Sequence, residues 1–231
     1  MNIVISGYGK MGHEIENLLR ETGIIPLLCT EDIRSVDKAI ASKSVCIDFT
    51  EPEAFLSNYE FIAENFLSAV IGTTGWGSKK NEIIESFLKN ETPMIYASNF
   101  SIGLNIFFKL NEIASKLTSA LGKYHPYILE MHHAKKLDSP SGTARTIVDI
   151  LGKNFSHIPT VASVRSGSIP GIHQVGYESE DDRMSLVHEA FSRKVFARGA
   201  ILAAEWSLMQ SGVFEFRELI ENNFNKIIGI C

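Results

Sequence analysis

The chain has no excess of positive charge: 22 lysines and arginines stand against 27 aspartates and glutamates, a formal net charge of −5. No global basic field therefore draws in nucleic acid or an anionic membrane, and any anion it binds must be held by a local site. Cysteine is also scarce. Cys29, Cys46 and Cys231 are widely spaced and include no CxxC pair, which fits a reducing compartment and argues against a disulfide framework or a thiolate metal site. No apolar run approaches the roughly 20 residues needed to span a bilayer. The opening MNIVISG reads as a strand rather than a basic and apolar leader, so a soluble, cytoplasmic protein is expected. Internal repeats, low-complexity segments and long linkers are absent too. What remains is ordinary globular composition, 45% hydrophobic and 21% charged, over 231 residues, enough for one large domain or two small ones.

The first hundred residues alternate strand and helix patterns. Asn2 to Ser6 is almost continuously apolar, as a strand buried on both faces of a parallel sheet should be. It runs into GYGKMG, where Gly7, Gly9 and Gly12 have G-x-G-x-x-G spacing, and then into a helical pattern with Met11, Ile15, Leu18 and Leu19. The first glycine permits the tight turn, the second lets the backbone approach a pyrophosphate, and the third lets helix and strand pack closely. A second strand, Ile24 to Thr30, ends at Glu31, 19 residues beyond Gly12, where this fold places the acid that meets the ribose 2′-hydroxyl. Glu31 and Asp32 together point mildly toward NADH, although nearby Arg34 blurs the preference. Further strands are expected at Ser44 to Pro52, Ser68 to Gly72 and Pro93 to Ala97, with helices over Ala54 to Phe66 and Lys79 to Leu88. The loop Gly72, Thr73, Thr74 and Gly75 lies at a strand's carboxyl end and should flank the nicotinamide. The fold class that follows is α/β, a Rossmann-type doubly wound parallel sheet.

After Gly103 the texture changes. Leu104 to Leu121 predicts a long amphipathic helix with an apolar stripe at Ile106, Phe107, Leu110, Ile113, Ala114 and Leu117. Strand-like runs follow at Tyr127 to His132, Thr160 to Arg165, Gly171 to Tyr177 and Met184 to Phe191, the last two flanking a polar turn as a hairpin would. A smaller α+β domain with an open mixed sheet, residues 102–193, is therefore expected. Val195 to Met209 predicts another helix with Gly212 as its stop. The final segment should return to the first domain, making residues 1–101 and 194–231 one discontinuous dinucleotide-binding unit. Hinges near Ser101 and Arg193 would let the domains close over a ligand.

The densest chemistry lies in EMHHAKKLDSPSGTAR, Glu130 to Arg145. Adjacent strand residues point to opposite faces, so His132 and His133 are poorly placed to chelate one ion, and no metal is expected. A solvated charge run is the bland alternative. Against it, Ser141 is a good N-cap and Gly142 and Thr143 open a helix with an apolar stripe at Ala144, Ile147, Val148 and Leu151. Free N–H groups at that helix start would seat a carboxylate or phosphate, immediately downstream of two imidazoles and a lysine. The segment reads as a site that binds an acidic substrate and donates protons to it. Glu130 shares a strand face with His132 and could orient it or merely balance charge. Lys135 has no assigned role, and His173 and His188 read as structural.

The same block resembles the signature E-x-H-H-x-x-K-x-D-x-P-S-G-T-A of the 4-hydroxy-tetrahydrodipicolinate (dihydrodipicolinate) reductase family. GYGKMG, IDFTEP, GTTG, ASNFSIG, RSGSIPGIHQV and FARGA…AAEW also resemble that family's motifs, in its order and along essentially the whole chain. The resemblance implies an NADH- or NADPH-dependent enzyme of lysine and diaminopimelate biosynthesis. It would be a homotetramer associating through its substrate-domain sheets, reducing a small cyclic imine dicarboxylate. It implies His132 as acid/base residue and Lys136 as proton donor to the ring nitrogen, with substrate contacts from His133, Ser141, Gly142 and Thr143. Cofactor contacts are implied at Gly7, Tyr8, Gly9, Lys10, Met11, Gly12, Glu31, Gly72, Thr73, Thr74, Ala97, Ser98, Asn99 and Phe100. Departures are few: Ser139 stands where the family commonly has alanine, Ser98 occupies a variable position, and the connection from Glu31 to Val45 is short. An aspartate or homoserine dehydrogenase would not need the HHxxKxDxPSGT block. A nucleotide-sensing module or inactive paralogue would have lost His132 and Lys136.

Overall fold

The computed structural model describes residues 1–157 and 159–228, with side chains given through residue 223. Two compact units emerge, one formed by Met1–Ser101 with Arg193–Cys231 and the other by Ile102–Ser192. The first unit runs β1 (Ile3–Ser6), α1 (Lys10–Glu21), β2 (Leu28–Thr30), α2 (Lys38–Ala41), β3 (Val45–Asp48), α3 (Pro52–Asn65), β4 (Ser68–Ile71), α4 (Lys80–Lys89) and β5 (Met94–Tyr96). The second contributes α5 (Ile102–Leu121), β6 (His125–His132), α6 (Gly142–Gly152), β7 (Thr160–Arg165), β8 (Ile172–Glu178) and β9 (Arg183–Glu189). The chain then returns to the first unit as α7 (Lys194–Ser207), β10 (Val213–Glu215) and α8 (Phe216–Ile228).

In the first unit six parallel strands take the order β10-β5-β4-β3-β1-β2. Every residue of β1, β3 and β4 is buried, because helices cover both faces of the sheet. Val4, Cys46, Ala69 and Ile71 share a core with Phe55, Ile62, Ile83 and Phe87 of α3 and α4. On the other side α7 packs on β3, β4 and β5 and also on α1, through Ala197, Ala200, Ala203 and Ala204, none of which has exposed surface. The chain departs from β1 toward β2 in one direction and toward β3 in the other, so the switch point lies beside Gly7. Gly7 has φ +85°, and a Cβ there would meet the Phe49 carbonyl at 2.6 Å.

In the second unit four strands form a mixed sheet in the order β7-β6-β8-β9, with β6 and β7 parallel and the rest antiparallel. Its core joins Leu104, Phe107 and Phe108 of α5 and Ile147, Ile150 and Leu151 of α6 to Ile128, Val175 and Tyr177 of the sheet. Tyr177 donates its hydroxyl to Asn111 Oδ1 at 2.9 Å, inside that core.

Several expected elements differ in detail. The second strand spans only Leu28–Thr30; Pro26 has no N–H to donate, and Ile25 and Leu27 are 67% and 53% exposed. The α5 stripe is corrected: Ile106, Leu110, Ile113 and Leu117 are exposed, while Leu104, Phe107, Phe108, Asn111, Ala114, Ser115 and Thr118 are buried. Small and polar residues allow close approach on that face, and their polar atoms bond to backbone carbonyls one turn back, as Asn111 and Thr118 do. β10 and α8 extend the sheet and helices beyond the expected Gly212 stop. Cys29 and Cys46 are free thiols, and Cys231 lies outside the described residues. Among the described residues no helix is long and apolar enough to cross a membrane.

Gly199 of α7 has the tightest packing demand. A Cβ there would overlap the Phe100 carbonyl, a backbone atom that cannot swing aside. Gly199→Ala is expected to destabilise by about 1–3 kcal/mol and to lower Tm by several degrees in thermal unfolding. An unchanged Tm would show that the approach of α7 to the Phe100 backbone is not fixed.

Candidate active site

At the carboxyl ends of the first unit's strands, α1 begins at Lys10 directly after the glycine turn. Its N-cap is Gly9, no side chain caps it, and no acid lies in its first turn, so its leading N–H groups are left for an anion. A Cβ at Gly9 would meet nothing within 4 Å, whereas one at Gly12 would strike the Gly7 carbonyl. The expected division of labour follows: Gly12 packs helix on strand, and Gly9 leaves open space where a pyrophosphate backbone would approach. These features fit a dinucleotide.

Glu31 lies just past β2 and is exposed, and its Oε1 accepts the Tyr8 N–H at 2.8 Å. The Tyr8 hydroxyl bonds Glu16, which together with burial and charge pushes the phenol up to about 12. Arg34 is turned away, donating to the Ser57 carbonyl, while Asp32 caps the Arg34 N–H at 3.1 Å. Met11, Gly72, Ala97, Ser98, Asn99 and Phe100 line one cavity of about 290 Å³, joined by Phe49, Arg193 and Phe196. Thr74 is exposed nearby, whereas Thr73 is buried and donates to Asp48 Oδ1 at 2.6 Å. Thr50 donates to the same oxygen at 3.0 Å. Burial raises the Asp48 carboxyl above its ordinary value, and these bonds oppose the shift only in part. Asp48, Phe49, Arg193 and Phe196 were not singled out as site residues, although IDFTEP held the first two.

In the second unit β6 alternates cleanly, burying Pro126, Ile128, Glu130 and His132. Glu130 has no exposed surface. Its Oε1 accepts three donors: the Ser141 N–H at 3.0 Å, Ser163 Oγ at 2.7 Å and Arg165 Nη2 at 2.8 Å. Its Oε2 lies 3.4 Å from His132 Nδ1 and 3.7 Å from His173 Nε2. Ser141 caps α6 as expected, accepting the Ala144 N–H at 3.2 Å, and its hydroxyl also lies 3.3 Å from His173 Nε2. Gly142 and Thr143 open the helix with no acid in its first turn. Lys136 pairs with Asp138 at 2.8 Å and holds that carboxyl below its ordinary value. His133 is half-buried just past the strand, and Lys135 is exposed.

Burial opposes the charged form of Glu130, but the bonds from Ser141, Arg165 and Ser163 outweigh it and hold the carboxyl near a pKa of about 2. Burial, joined by repulsion from His132, pushes His173 down to about 3. His132 is also lowered by burial, with Glu130 opposing and Lys136 and Arg165 reinforcing the shift. The ligand atoms of Glu130, His132 and His173 lie within 4.8 Å of one another, and Arg165 already supplies the carboxylate's cation. His173, Ser163 and Arg165 are the residues that sequence reasoning left aside. Their signal was present, since Arg165 opens RSGSIPGIHQV and His173 lies within it.

A parallel nucleotide-binding sheet, joined in sequence to a unit with a buried acid–imidazole cluster at a helix start, defines a pyridine-nucleotide-dependent dehydrogenase fold. Residues 1–100 match the family model described as dihydrodipicolinate reductase, N-terminus, and residues 103–220 match its C-terminus. The chain belongs to the dihydrodipicolinate reductase family. It is 37% identical to the 4-hydroxy-tetrahydrodipicolinate reductase of Christiangramia forsetii, over 97% of this chain and 99% of that one. Its identity to the reductase of the same name from Thermosipho africanus is 34%, over 96% and 98% of the two chains. A dipicolinate-bound dihydrodipicolinate reductase from Paenisporosarcina sp. TG-14 shares the fold at TM-score 0.75 and 22% identity, covering 93% of this chain and 97% of that one.

The cluster makes stability fall with acid in two stages. An unfolded histidine takes up a proton near its ordinary 6.5 but folded His173 only near about 3, so that contribution is lost as pH falls between them. Glu130 adds stability above its ordinary 4.5, which is lost as pH falls toward about 2. Tm should therefore decline below about pH 6.5, and His173→Gln should make the first stage shallower. An identical slope in the variant would mean that His173 titrates alike in the folded and unfolded chains.

Proposed function

We propose that this chain reduces 4-hydroxy-tetrahydrodipicolinate to tetrahydrodipicolinate with NAD(P)H, in lysine and diaminopimelate biosynthesis. The observation that carries this reading is the His132–Glu130–Ser141 arrangement, in which a buried imidazole, its carboxylate neighbour and the capped start of α6 stand together, in a chain of this family. The N–H groups of Gly142 and Thr143, with Ser141 and His133 nearby, seat a carboxylate of the dicarboxylate substrate. Reduced nicotinamide, when bound, supplies the hydride. The 4-hydroxyl leaves as water, which conjugates a C=C with the C=N; as hydride adds to that system, electron density moves onto nitrogen, and the Lys136 ammonium, a compact donor, delivers the proton there. His132 exchanges a proton with the substrate, as an imidazole can near neutral pH. The cofactor is held by Gly7 to Gly12, Gly72 to Thr74 and Ala97 to Phe100, with Glu31 on the adenosine ribose.

NADH is the preferred cofactor. Two observations support this preference: Glu31 accepts the Tyr8 N–H beside the glycine turn, where its charge would repel a 2′-phosphate, and Arg34, a cation that could hold one, donates to the Ser57 carbonyl. The enzyme is cytoplasmic, and it assembles as a homotetramer through the sheet of residues 102–193.

Coupling to the synthase that condenses pyruvate with aspartate semialdehyde, and following NADH and NADPH oxidation, tests the activity directly. No oxidation by folded protein with either cofactor would sink the proposal. Lys136→Ala should lose turnover by roughly 10²- to 10⁴-fold while cofactor binding, read by fluorescence titration, persists. Unchanged turnover would return Lys136 to a solvated ion pair with Asp138. Glu31→Ala should weaken NADH more than NADPH, whereas an equal loss would remove Glu31 from the ribose.

A further inference from the structure

We infer that Glu130 is a positioning residue, a single buried carboxylate that sets the tautomer of His132 and anchors the helix start that seats the substrate. The inference rests on the proton-handling role of His132 proposed above and deepens it.

The two oxygens of Glu130 do different jobs. Oε1 is saturated by donors from three elements: the Ser141 N–H at the start of α6, and Ser163 and Arg165 of β7. Arg165 also donates to the Asp138 carbonyl at 2.7 Å, which ties down the loop carrying Lys136. Oε2 is buried with no hydrogen-bond partner, and so is His132 Nδ1, only 3.4 Å away. Leaving two such buried atoms unpaired is unfavourable, and a small rotation of the imidazole joins them. Nδ1 then carries the hydrogen and donates it to Glu130, leaving Nε2 as the atom that gains and loses a proton. Gly171 leaves room beside that atom, since a Cβ there would sit 3.3 Å from Nε2.

The groups facing His132 come from every neighbouring strand and loop. Glu130 is on its own strand, Lys136 and Asp138 follow it, Arg165 is on β7 and His173 is on β8; the neutral Ser141 of the α6 cap meets His173. Glu130 and Asp138 favour the imidazolium, and the cations oppose it. Because Oε1 is held on three sides, the carboxylate cannot follow His132, so the histidine must orient to it.

The discriminating variant is Glu130→Gln, which keeps an oxygen for Ser141 and Ser163 but turns an amide donor, in place of a charged acceptor, toward Nδ1. In the coupled assay kcat should fall roughly 10- to 100-fold with the NADH KM unchanged. The pH–rate limb assigned to His132 should move toward acid, because the charge that favours the imidazolium is gone. A purely structural role would lower activity without moving the limb. A folded Glu130→Gln with kcat within twofold of wild type and an unmoved limb overturns the inference. Should that variant not fold, imidazole ¹⁵N NMR of the wild-type protein decides, with His132 assigned by its absence in His132→Gln. A neutral Nδ1–H tautomer supports the inference, and Nε2–H overturns it. His132→Gln with full turnover overturns the proton-handling reading and this inference together. His132→Gln inactive beside a wild-type-like Glu130→Gln overturns this inference alone.

Discussion

A carboxylate with no exposed surface loses several kcal/mol of hydration, and it stays ionised only where fixed donors replace the water. Glu130 meets that requirement with a backbone N–H, a hydroxyl and a guanidinium on one oxygen. Because the donors come from α6 and β7, satisfying the charge also fixes where those elements stand relative to β6. The second unit is arranged around this constraint. The same bonds put the Ser141 cap, the loop before it and the His132 imidazole around one charge, and burial keeps His173 neutral against it.

The first unit uses a related device more lightly. Asp48 ends β3 without exposed surface, and its Oδ1 collects Thr50 from its own loop and Thr73 from the loop after β4. Two loops at the carboxyl edge of the sheet are thereby tied together beside Phe49 and Gly72, which line the cavity. Here burial dominates, and the carboxyl is raised rather than lowered, although the Thr73 and Thr50 hydroxyls and the Thr50 N–H donate to it. The two acids differ in which effect wins: the bonds from Ser141, Arg165 and Ser163 outweigh burial at Glu130, whereas burial outweighs the bonds at Asp48.

Legibility in the sequence followed the strength of local patterning. β7 was located to the residue, and the Ser141 cap of α6 was legible from a serine before Gly-Thr-Ala and an apolar stripe. The α5 helix was legible in extent but not in face. Its Ile106, Leu110, Ile113 and Leu117 form as good a stripe as the one it buries, and periodicity cannot choose between two apolar faces. β10 is too short to announce itself: Val213–Glu215 is three residues long and takes its identity from the ladder with β5. The candidate site residues that the sequence offered lie in contiguous motifs, from Gly7 to Gly12 and from His132 to Thr143. Those assembled across strands were missed, as with Ser163, Arg165 and His173.

The sequence by itself determined the class of each unit, the glycine turn, the capped helix start and the family, because each is written in residues a few positions apart. It also excluded a general basic surface and a thiolate cluster. Tertiary structure alone decided which carboxylate the histidines face and which cation accompanies it. It likewise turned Arg34 toward the Ser57 carbonyl. Those outcomes depend on strand register, where Glu130 lies opposite Ser163 on one side and His173 on the other, and register is set by the packing of whole strands rather than by any short stretch of chain.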